Sequence, residues 1–155
     1  MDDMNVSDKP DNFTLTNTEG EKVNLNDLIS DNKLLLLFFP FAFSSVCTDE
    51  MCTTRDNMKL YNSLQCNVAA ISVDSFFTLK AFKKANNLNF TLLSDFNKEV
   101  SRQFNCLYKD YFGAKGVSKR SAFVINRDGV VEYAEILDDS DKQPDFKEIY
   151  RILKA

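Results

Sequence analysis

Apolar residues occur along the chain either in short unbroken runs or at helical spacing. The runs in Lys33–Phe39 and Val68–Val73 predict two strands that are covered on both faces of a sheet. Shorter strands are predicted at residues 90–93 and in two hairpins, 13–16 with 21–23 and 121–126 with 130–137. Helical spacing predicts helices over residues 46–64, 75–85, 97–104 and 144–153, and a helical turn at 24–28.

The order of these elements predicts a three-layer α/β/α arrangement around a central mixed sheet. A thioredoxin-like fold has this element order. The length of 155 residues is that of one domain, so we expect a single domain over residues 1–155. Pro144 is expected in the first turn of the last helix, where proline is favoured.

Charge and hydropathy exclude several classes of protein. The chain has 19 Lys and Arg against 23 Asp and Glu, a net charge of −4, and no basic cluster that would indicate a nucleic-acid partner. The longest apolar run, which starts at Leu34, is shorter than the ~20 residues of a membrane span. The N-terminus lacks the pattern of a signal peptide. We therefore expect a cytoplasmic protein that does not cross a membrane.

The chain has no histidine and four cysteines, at positions 47, 52, 66 and 106. The lack of histidine excludes Ser-His, Cys-His and His-metal mechanisms. In a reducing compartment, such cysteines indicate catalytic, metal-binding or buried thiols rather than a disulfide framework. Their spacings of 4, 13 and 39 intervening residues contain no Cys-x2-Cys pair. We therefore expect neither a zinc site nor another cofactor.

The segment from Pro40 to Cys47 carries the clearest chemical signal. Proline ends a buried strand, and Cys47 follows the loop at the expected start of a helix. Unpaired N–H groups and the helix dipole at such a position stabilise a thiolate, which is the nucleophilic form of cysteine. Ser44 lies three residues upstream, where its hydroxyl can face the sulfur or a bound oxygen. The alternative is a small, unreactive buried thiol at a strand-to-helix turn.

This segment resembles the active-site motif of the peroxiredoxins. Pro40-x-x-x-Ser44-x-x-Cys47 is similar to the family's Pro-x-x-x-Thr/Ser-x-x-Cys, and Glu50 matches an acidic position that is common in the family. Three further segments resemble the family in order and spacing: an N-terminal opening, an arginine before an apolar strand and an Asp-Gly turn. They occupy residues 9–15, 119–126 and 128–129, so the resemblance extends over residues 9–155.

The resemblance implies a role for each matching residue. Cys47 is expected to be the peroxidatic thiolate, which attacks one oxygen of a hydroperoxide. Ser44 is expected to hydrogen-bond the peroxide through Oγ, and Arg120 to hold the thiolate and stabilise charge on the oxygens. Pro40 is expected to shield the pocket from water, and Glu50 to orient an arginine.

The resemblance also indicates how the oxidised cysteine is recycled. The spacing of Cys47 and Cys52 is similar to that of the bacterioferritin-comigratory, or Q-type, subgroup, in which a resolving cysteine follows at this interval. The aromatic stretch before Cys47 is also similar to the AhpE-like subgroup, and the sequence leaves both subgroups open. Cys66 and Cys106 are expected to be structural, with Cys106 as the second resolving candidate. Arg55 is expected to support the site from the same helix.

Helix geometry constrains a pairing of Cys47 with Cys52. Two residues five apart on an intact helix are ~7.5 Å apart along the axis and ~140° apart around it. Cα atoms more than ~7 Å apart cannot be bridged without backbone movement. A disulfide between these residues therefore requires the first turns of the helix to unwind.

The resemblance implies thioredoxin or a glutaredoxin-like protein as the reductant. Relatives occur as monomers and as homodimers, and the sequence leaves the choice open. It also leaves open whether four aromatic residues form an apolar patch beside the site or belong to the core. These residues are Phe41, Phe43, Tyr111 and Phe112.

Three alternatives to a two-cysteine peroxidase differ in how Cys47 behaves. A redox-sensing or interaction protein oxidises once and recycles poorly with a dithiol donor. A one-cysteine peroxidase turns over without Cys52. A thioredoxin-like binding domain has a Cys47 of ordinary reactivity.

Overall fold

Strands and helices alternate along the chain in the computed structural model, which describes residues 3–155. Its strands are β1 (Thr14–Asn17), β2 (Lys22–Asn24), β3 (Lys33–Phe38), β4 (Cys66–Ser72), β5 (Thr91–Ser94), β6 (Leu107–Tyr108), β7 (Val117–Ser118), β8 (Ser121–Ile125) and β9 (Val131–Ile136). Its helices are α1 (Leu25–Ile29), α2 (Ser45–Asp56), α3 (Met58–Ser63), α4 (Phe76–Ala85), α5 (Glu99–Gln103) and α6 (Phe146–Lys154).

A seven-stranded sheet in the order β2-β1-β5-β4-β3-β8-β9 forms the middle layer. Strands β3, β4 and β5 are parallel, and β8 runs antiparallel to β3. The predicted hairpins β1–β2 and β8–β9 lie at the two edges. The sheet is therefore mixed, as predicted, and β3 lies near its centre.

The side chains of β3 show why the sequence has an unbroken apolar run there. Successive residues of a strand point to opposite faces of the sheet. Leu35 and Leu37 pack with residues of α2, α3, α4 and α6, whereas Leu36 and Phe38 pack with residues of α1 and α5. All four side chains are fully buried. The three predicted layers follow from this arrangement.

Two helix predictions are wrong in detail. The helix expected over residues 46–64 begins at Ser45, and a turn at Asn57 divides it into α2 and α3. The Asn57 side chain donates to the carbonyl of Thr53 at 2.8 Å, a local bond that competes with regular helix. Pro144 lies before α6 rather than in its first turn, because Asp145 caps the helix by accepting from the Glu148 amide.

The segment between α5 and β8 was not predicted to contain strands. There, β6 and β7 pair antiparallel as a separate two-stranded sheet. Within residues 3–155, no helix has the length and apolar character needed to cross a membrane. The single domain over residues 1–155 stays a prediction, and its first two residues lie outside the described ones.

Candidate active site

The turn from β3 into α2 places Cys47 at a helix N-terminus. Pro40 is buried two residues after the end of β3, and Ser44 is the extended N-cap residue of α2, with φ −70° and ψ 152°. Cys47 lies in the first turn and is 0% exposed. The first-turn amides of a helix have no intrahelical partner, so they are available to an anion at this position.

The register between β3 and β8 places Arg120 beside this helix. Phe38, the last residue of β3, pairs with Ser121, the first residue of β8. Arg120 precedes Ser121 and therefore lies where β3 ends and the loop to α2 begins. Its side chain is fully buried, and its Nη2 donates to Cys47 Sγ at 3.2 Å.

Glu50 completes a three-membered cluster of ionisable groups. It lies three residues after Cys47, so both side chains share one face of α2. Arg120 Nη1 donates to Glu50 Oε1 at 2.6 Å, and neither side chain is exposed to solvent. Among the described residues, Glu50 Oε2 has no hydrogen-bond partner. The rigid fork of arginine thus bridges a carboxylate and the sulfur.

Burial and charge oppose one another in this cluster. Burial raises the pKa of Glu50 to about 7, although the neighbouring Arg120 acts to lower it. Burial disfavours the charged form of Arg120, but Glu50 and Cys47 outweigh it, so the pKa of Arg120 lies above its usual value. Arg120 therefore remains a cation, which can stabilise a thiolate.

Ser44 lies beside the site, but its hydroxyl hydrogen is directed into the loop. Its Oγ donates to the carbonyl of Phe41 at 2.9 Å, and its own carbonyl accepts from Thr48. The hydroxyl therefore does not donate to the sulfur in this structure, and the expected hydrogen bond between Oγ and a bound peroxide stays a prediction. The Oγ atom still has lone pairs that can accept a hydrogen bond from a peroxide.

Cys52 and Arg55 lie on α2 away from the cluster. Cys52 is half-buried, and its Sγ donates to Asn86 Oδ1 at 3.7 Å. Arg55 bonds to Asp56 Oδ1 and to the carbonyl of Asn86. The prediction that Arg55 supports the site is wrong, because its guanidinium bonds to the helix end of α4 and to its own neighbour.

The other two cysteines are in the core, as expected. Cys66 begins β4, opposite Lys33 at the start of β3, and so lies at the far end of the sheet from Cys47. Cys106 belongs to the apolar cluster on the other face of the sheet. Burial raises the pKa of Cys66 to about 12 and also raises that of Cys106.

The four aromatic residues singled out in the sequence differ in burial. Phe41 and Tyr111 are partly buried and pack against each other, with ring centroids 5.9 Å apart. Phe43 is 55% exposed and Phe112 is 92% exposed. Phe41 and Tyr111 therefore belong to a packed cluster, whereas the rings of Phe43 and Phe112 are exposed.

Two groups that hold Arg120 were not foreseen. The carbonyl of Ser140 accepts from Arg120 Nε at 3.0 Å, and the Arg120 amide donates to the Tyr108 hydroxyl at 3.4 Å. A backbone carbonyl has no sequence signature, because every residue supplies one. For Tyr108, the only signal in the sequence was that a tyrosine precedes Arg120 in the chain, and this does not predict a contact between them.

Comparison with known proteins identifies the family. Residues 6–134 match the AhpC/TSA family. The chain is 34% identical over 135 residues to peroxiredoxin Bcp of Escherichia coli K12, with 86% of each chain covered. The chain belongs to the peroxiredoxin family. The family indicated by the sequence motifs and the predicted enzyme class are thereby confirmed. This peroxiredoxin is a thiol peroxidase, which is a class of oxidoreductase.

Solved structures support the fold of this peroxiredoxin. The peroxidoxin BcpB of Mycobacterium tuberculosis superposes with a TM-score of 0.84 at 27% identity, covering 97% of this chain and 95% of that one. A peroxiredoxin-like protein from Aquifex aeolicus has a TM-score of 0.88 at 20% identity, covering 99% and 88%, and supports the fold alone. The thioredoxin-like fold predicted from the element order is confirmed.

Proposed function

We propose that this peroxiredoxin reduces hydrogen peroxide and organic hydroperoxides through Cys47. The observation that carries the proposal is the 3.2 Å hydrogen bond from Arg120 to Cys47 Sγ at the N-terminus of α2. A cation and unpaired helix amides favour the thiolate there without a histidine.

In the first step, the Cys47 thiolate attacks one oxygen of the hydroperoxide. An S–O bond forms as the O–O bond breaks, and the leaving oxygen takes a proton to become water or an alcohol. The Arg120 guanidinium and the amides of Val46 and Cys47 stabilise charge on the oxygens. Ser44 Oγ accepts from the peroxide, and buried Pro40 limits access of water.

Glu50 has a positioning role in this proposal. It holds Nη1 of Arg120, so Nη2 is directed at the sulfur. The Ser140 carbonyl holds Nε from the other side. With three of its nitrogens bonded, the guanidinium has little freedom to leave the thiolate.

In the second step, Cys52 resolves the Cys47 sulfenic acid. The Cys52 sulfur attacks the Cys47 sulfur, water leaves and an intramolecular disulfide forms. Cys52 is supported by its half-buried position on the same helix, whereas Cys66 and Cys106 are in the core. Thioredoxin or a glutaredoxin-like dithiol then reduces the disulfide by exchange.

Thiol counting with intact mass tests both steps. We expect one equivalent of hydrogen peroxide to reduce the free thiols from four to two, with a loss of about 2 Da. Cys47→Ser and Cys52→Ser are both expected to fail to form this disulfide. If all four thiols survive in the wild-type protein, Cys47 is not an activated nucleophile and the proposal is wrong.

A one-cysteine peroxidase or a redox sensor is the second candidate. Two observations favour it: Cys52 Sγ faces Asn86 at the end of α4, and α2 is intact between the two cysteines. A gain of about 16 Da on wild-type Cys47 without a disulfide supports this candidate. Steady turnover with a dithiol donor then separates the peroxidase from the sensor.

The location, partners and oligomeric state of the enzyme are part of the same proposal. We expect a cytoplasmic location, no nucleic-acid partner and either a monomer or a homodimer. Fractionation of cells that produce the protein tests the location, and light scattering of the reduced and oxidised forms tests the assembly.

A further inference from the structure

A carboxylate outside the active-site cluster holds the loop that leads into α2. Asp74 follows β4, and its Oδ2 accepts from the backbone amide of Ala42 at 2.7 Å. Ala42 lies in the Pro40–Ser44 loop, which joins β3 to the N-cap of α2. A charged acceptor strengthens such a bond relative to a neutral one.

Asp74 is itself fixed by two strands of the sheet. Ser72 Oγ, in β4, donates to the same Oδ2 atom at 2.7 Å. Ser94 Oγ, in β5, donates to the Asp74 carbonyl at 2.6 Å. The Asp74 amide donates back to Ser72 Oγ at 3.2 Å. The loop is therefore tied to the rigid middle of the sheet rather than to another loop.

The loop needs such an anchor because its backbone is strained. Phe43 has a φ of 71°, a left-handed conformation that residues other than glycine rarely adopt. Such a conformation persists only when surrounding contacts hold it. The Phe43 ring packs against Phe82 with centroids 5.1 Å apart, and the Ala42–Asp74 bond holds the residue before it.

We propose that Asp74 is a positioning residue that holds the Pro40–Ser44 loop in the form that presents Cys47 to peroxide. Release of the Ala42 amide accompanies the unwinding of α2 that brings Cys47 to Cys52. This proposal rests on the proposed function. Asp74 thereby sets the ratio of two competing reactions of the Cys47 sulfenic acid: disulfide formation with Cys52 and further oxidation to a sulfinic acid.

The two reactions of the sulfenic acid differ in whether the sulfur loses its oxygen or gains a second one. Cys52 converts the sulfenic acid to a disulfide with release of water, and this requires the loop to open. A second hydroperoxide instead transfers one oxygen to give a sulfinic acid, with release of water or an alcohol, and this occurs in the closed form. A weaker anchor favours the disulfide and lowers the rate of the first peroxide step.

The test compares four variants of the full-length protein. Asp74→Ala removes the acceptor. Asp74→Asn keeps an oxygen that can accept from both donors, so it is the conservative rescue. Ser72→Ala leaves the carboxylate but removes one group that orients it. Asp95→Asn is the matched control, because Asp95 also follows a strand and accepts two backbone bonds, from Val100 and Ser101.

The first measurement is the labelling rate of reduced Cys47 by a bulky maleimide, mapped by peptide mass. Cys47 is fully buried, so labelling reports opening of the site without requiring peroxidase activity. We expect about a tenfold increase for Asp74→Ala, smaller increases for Ser72→Ala and for Asp74→Asn, whose neutral oxygen makes weaker bonds, and the wild-type rate for Asp95→Asn. Ser72→Ala keeps the comparison decisive if Asp74→Ala does not fold.

The second measurement is the ratio of sulfinic acid to disulfide at a fixed excess of hydrogen peroxide. The sulfinic acid adds about 32 Da and the disulfide removes about 2 Da. We expect the ratio to fall several-fold in Asp74→Ala and Ser72→Ala.

Two results would overturn the role of Asp74. One is a wild-type labelling rate in Asp74→Ala, and the other is an equal rise in Asp95→Asn, which would indicate a general loss of stability. If wild-type Cys47 does not oxidise at all, the proposed function fails, and the labelling rates still decide the role of Asp74.

Discussion

The guanidinium of Arg120 joins the two other ionisable groups of the site. One nitrogen bonds to the sulfur of Cys47 and another to Glu50. Arginine presents its donors in a fixed planar fork, whereas the ammonium of lysine is a point charge on a flexible chain. Charge alone is therefore insufficient at this position, and the fork geometry is what links the two acceptors.

Arg120→Lys is expected to slow the oxidation of Cys47 by about 100-fold, since one charge-assisted hydrogen bond of ~2–3 kcal/mol is lost. Stopped-flow measurement of peroxide consumption gives this rate. Arg55→Lys is the control, because Arg55 bonds to Asp56 and Asn86 outside the cluster. A lysine variant with an unchanged rate would refute the importance of the fork.

The buried carboxyl of Glu50 predicts a pH dependence of stability. Its pKa is raised from 4.5 to about 7 by burial, so the folded protein holds this proton in a range where the unfolded chain releases it. Stability from this group is therefore present below about pH 4.5 and falls by up to about 3 kcal/mol as the pH rises to about 7. Urea unfolding across this range measures the slope.

Glu50→Gln isolates the contribution of this one group, since glutamine does not titrate. We expect the difference in unfolding free energy between the two proteins to change with pH over this range and to level off above it. A difference that is constant from pH 4.5 to pH 8 would contradict the raised pKa of Glu50.

At the scale of the element, α2 has two roles that conflict. Its intact first turn holds Cys47 beside Arg120, and the same turn keeps Cys47 apart from Cys52. Only an unwound turn brings the two sulfurs together. The enzyme cycle in our proposal therefore alternates between a folded and a locally unfolded N-terminus of α2.

Hydrogen exchange tests this alternation directly. We expect the amides of residues 45–52 to exchange at least about tenfold faster in the peroxide-oxidised protein than in the reduced protein. The amides of α4 are expected to exchange equally in both. Oxidised Cys52→Ser should keep slow exchange, because it forms no disulfide. Equal rates at residues 45–52 in both wild-type forms would exclude unwinding.

At the scale of the whole molecule, two of the cysteines lie far from Cys47, one at the other end of the sheet and one on its other face. Cys66 lies at the start of β4, about 16 Å along the sheet from the end of β3 where the site is. Cys106 lies in the core on the opposite face. Distance along the sheet keeps Cys66 from Cys47 and the sheet itself keeps Cys106 from it, whereas pairing with Cys52 requires only a change in one helix.

The double variant Cys66→Ala with Cys106→Ala is therefore expected to form the Cys47–Cys52 disulfide at the wild-type rate. Each substitution is expected to lower the unfolding free energy by about 1–2 kcal/mol, since each removes a buried sulfur. Intact mass after peroxide treatment and urea unfolding give the two quantities. Loss of the disulfide in this variant would make one of these thiols the resolving group.

Elements with a strong local pattern could be predicted from the sequence. The five-residue run from Leu34 to Phe38 predicts a buried strand, and Ser75 caps α4 as its position before the helical pattern indicated. Boundaries that depend on one side-chain bond could not be predicted. Asn57 interrupts the predicted helix, and Arg55 points to Asn86 rather than to the site.

The sequence alone determined the family, the layered fold and the candidates Cys47, Ser44 and Arg120, because these depend on patterns within short segments. Only the tertiary structure decided which groups meet. The register of β3 with β8 brings Arg120 to a cysteine 73 positions away, and two strands direct Asp74 at the loop. Burial of Glu50 is likewise a property of the packed molecule. Contacts between distant segments depend on strand register and packing, which no local pattern encodes.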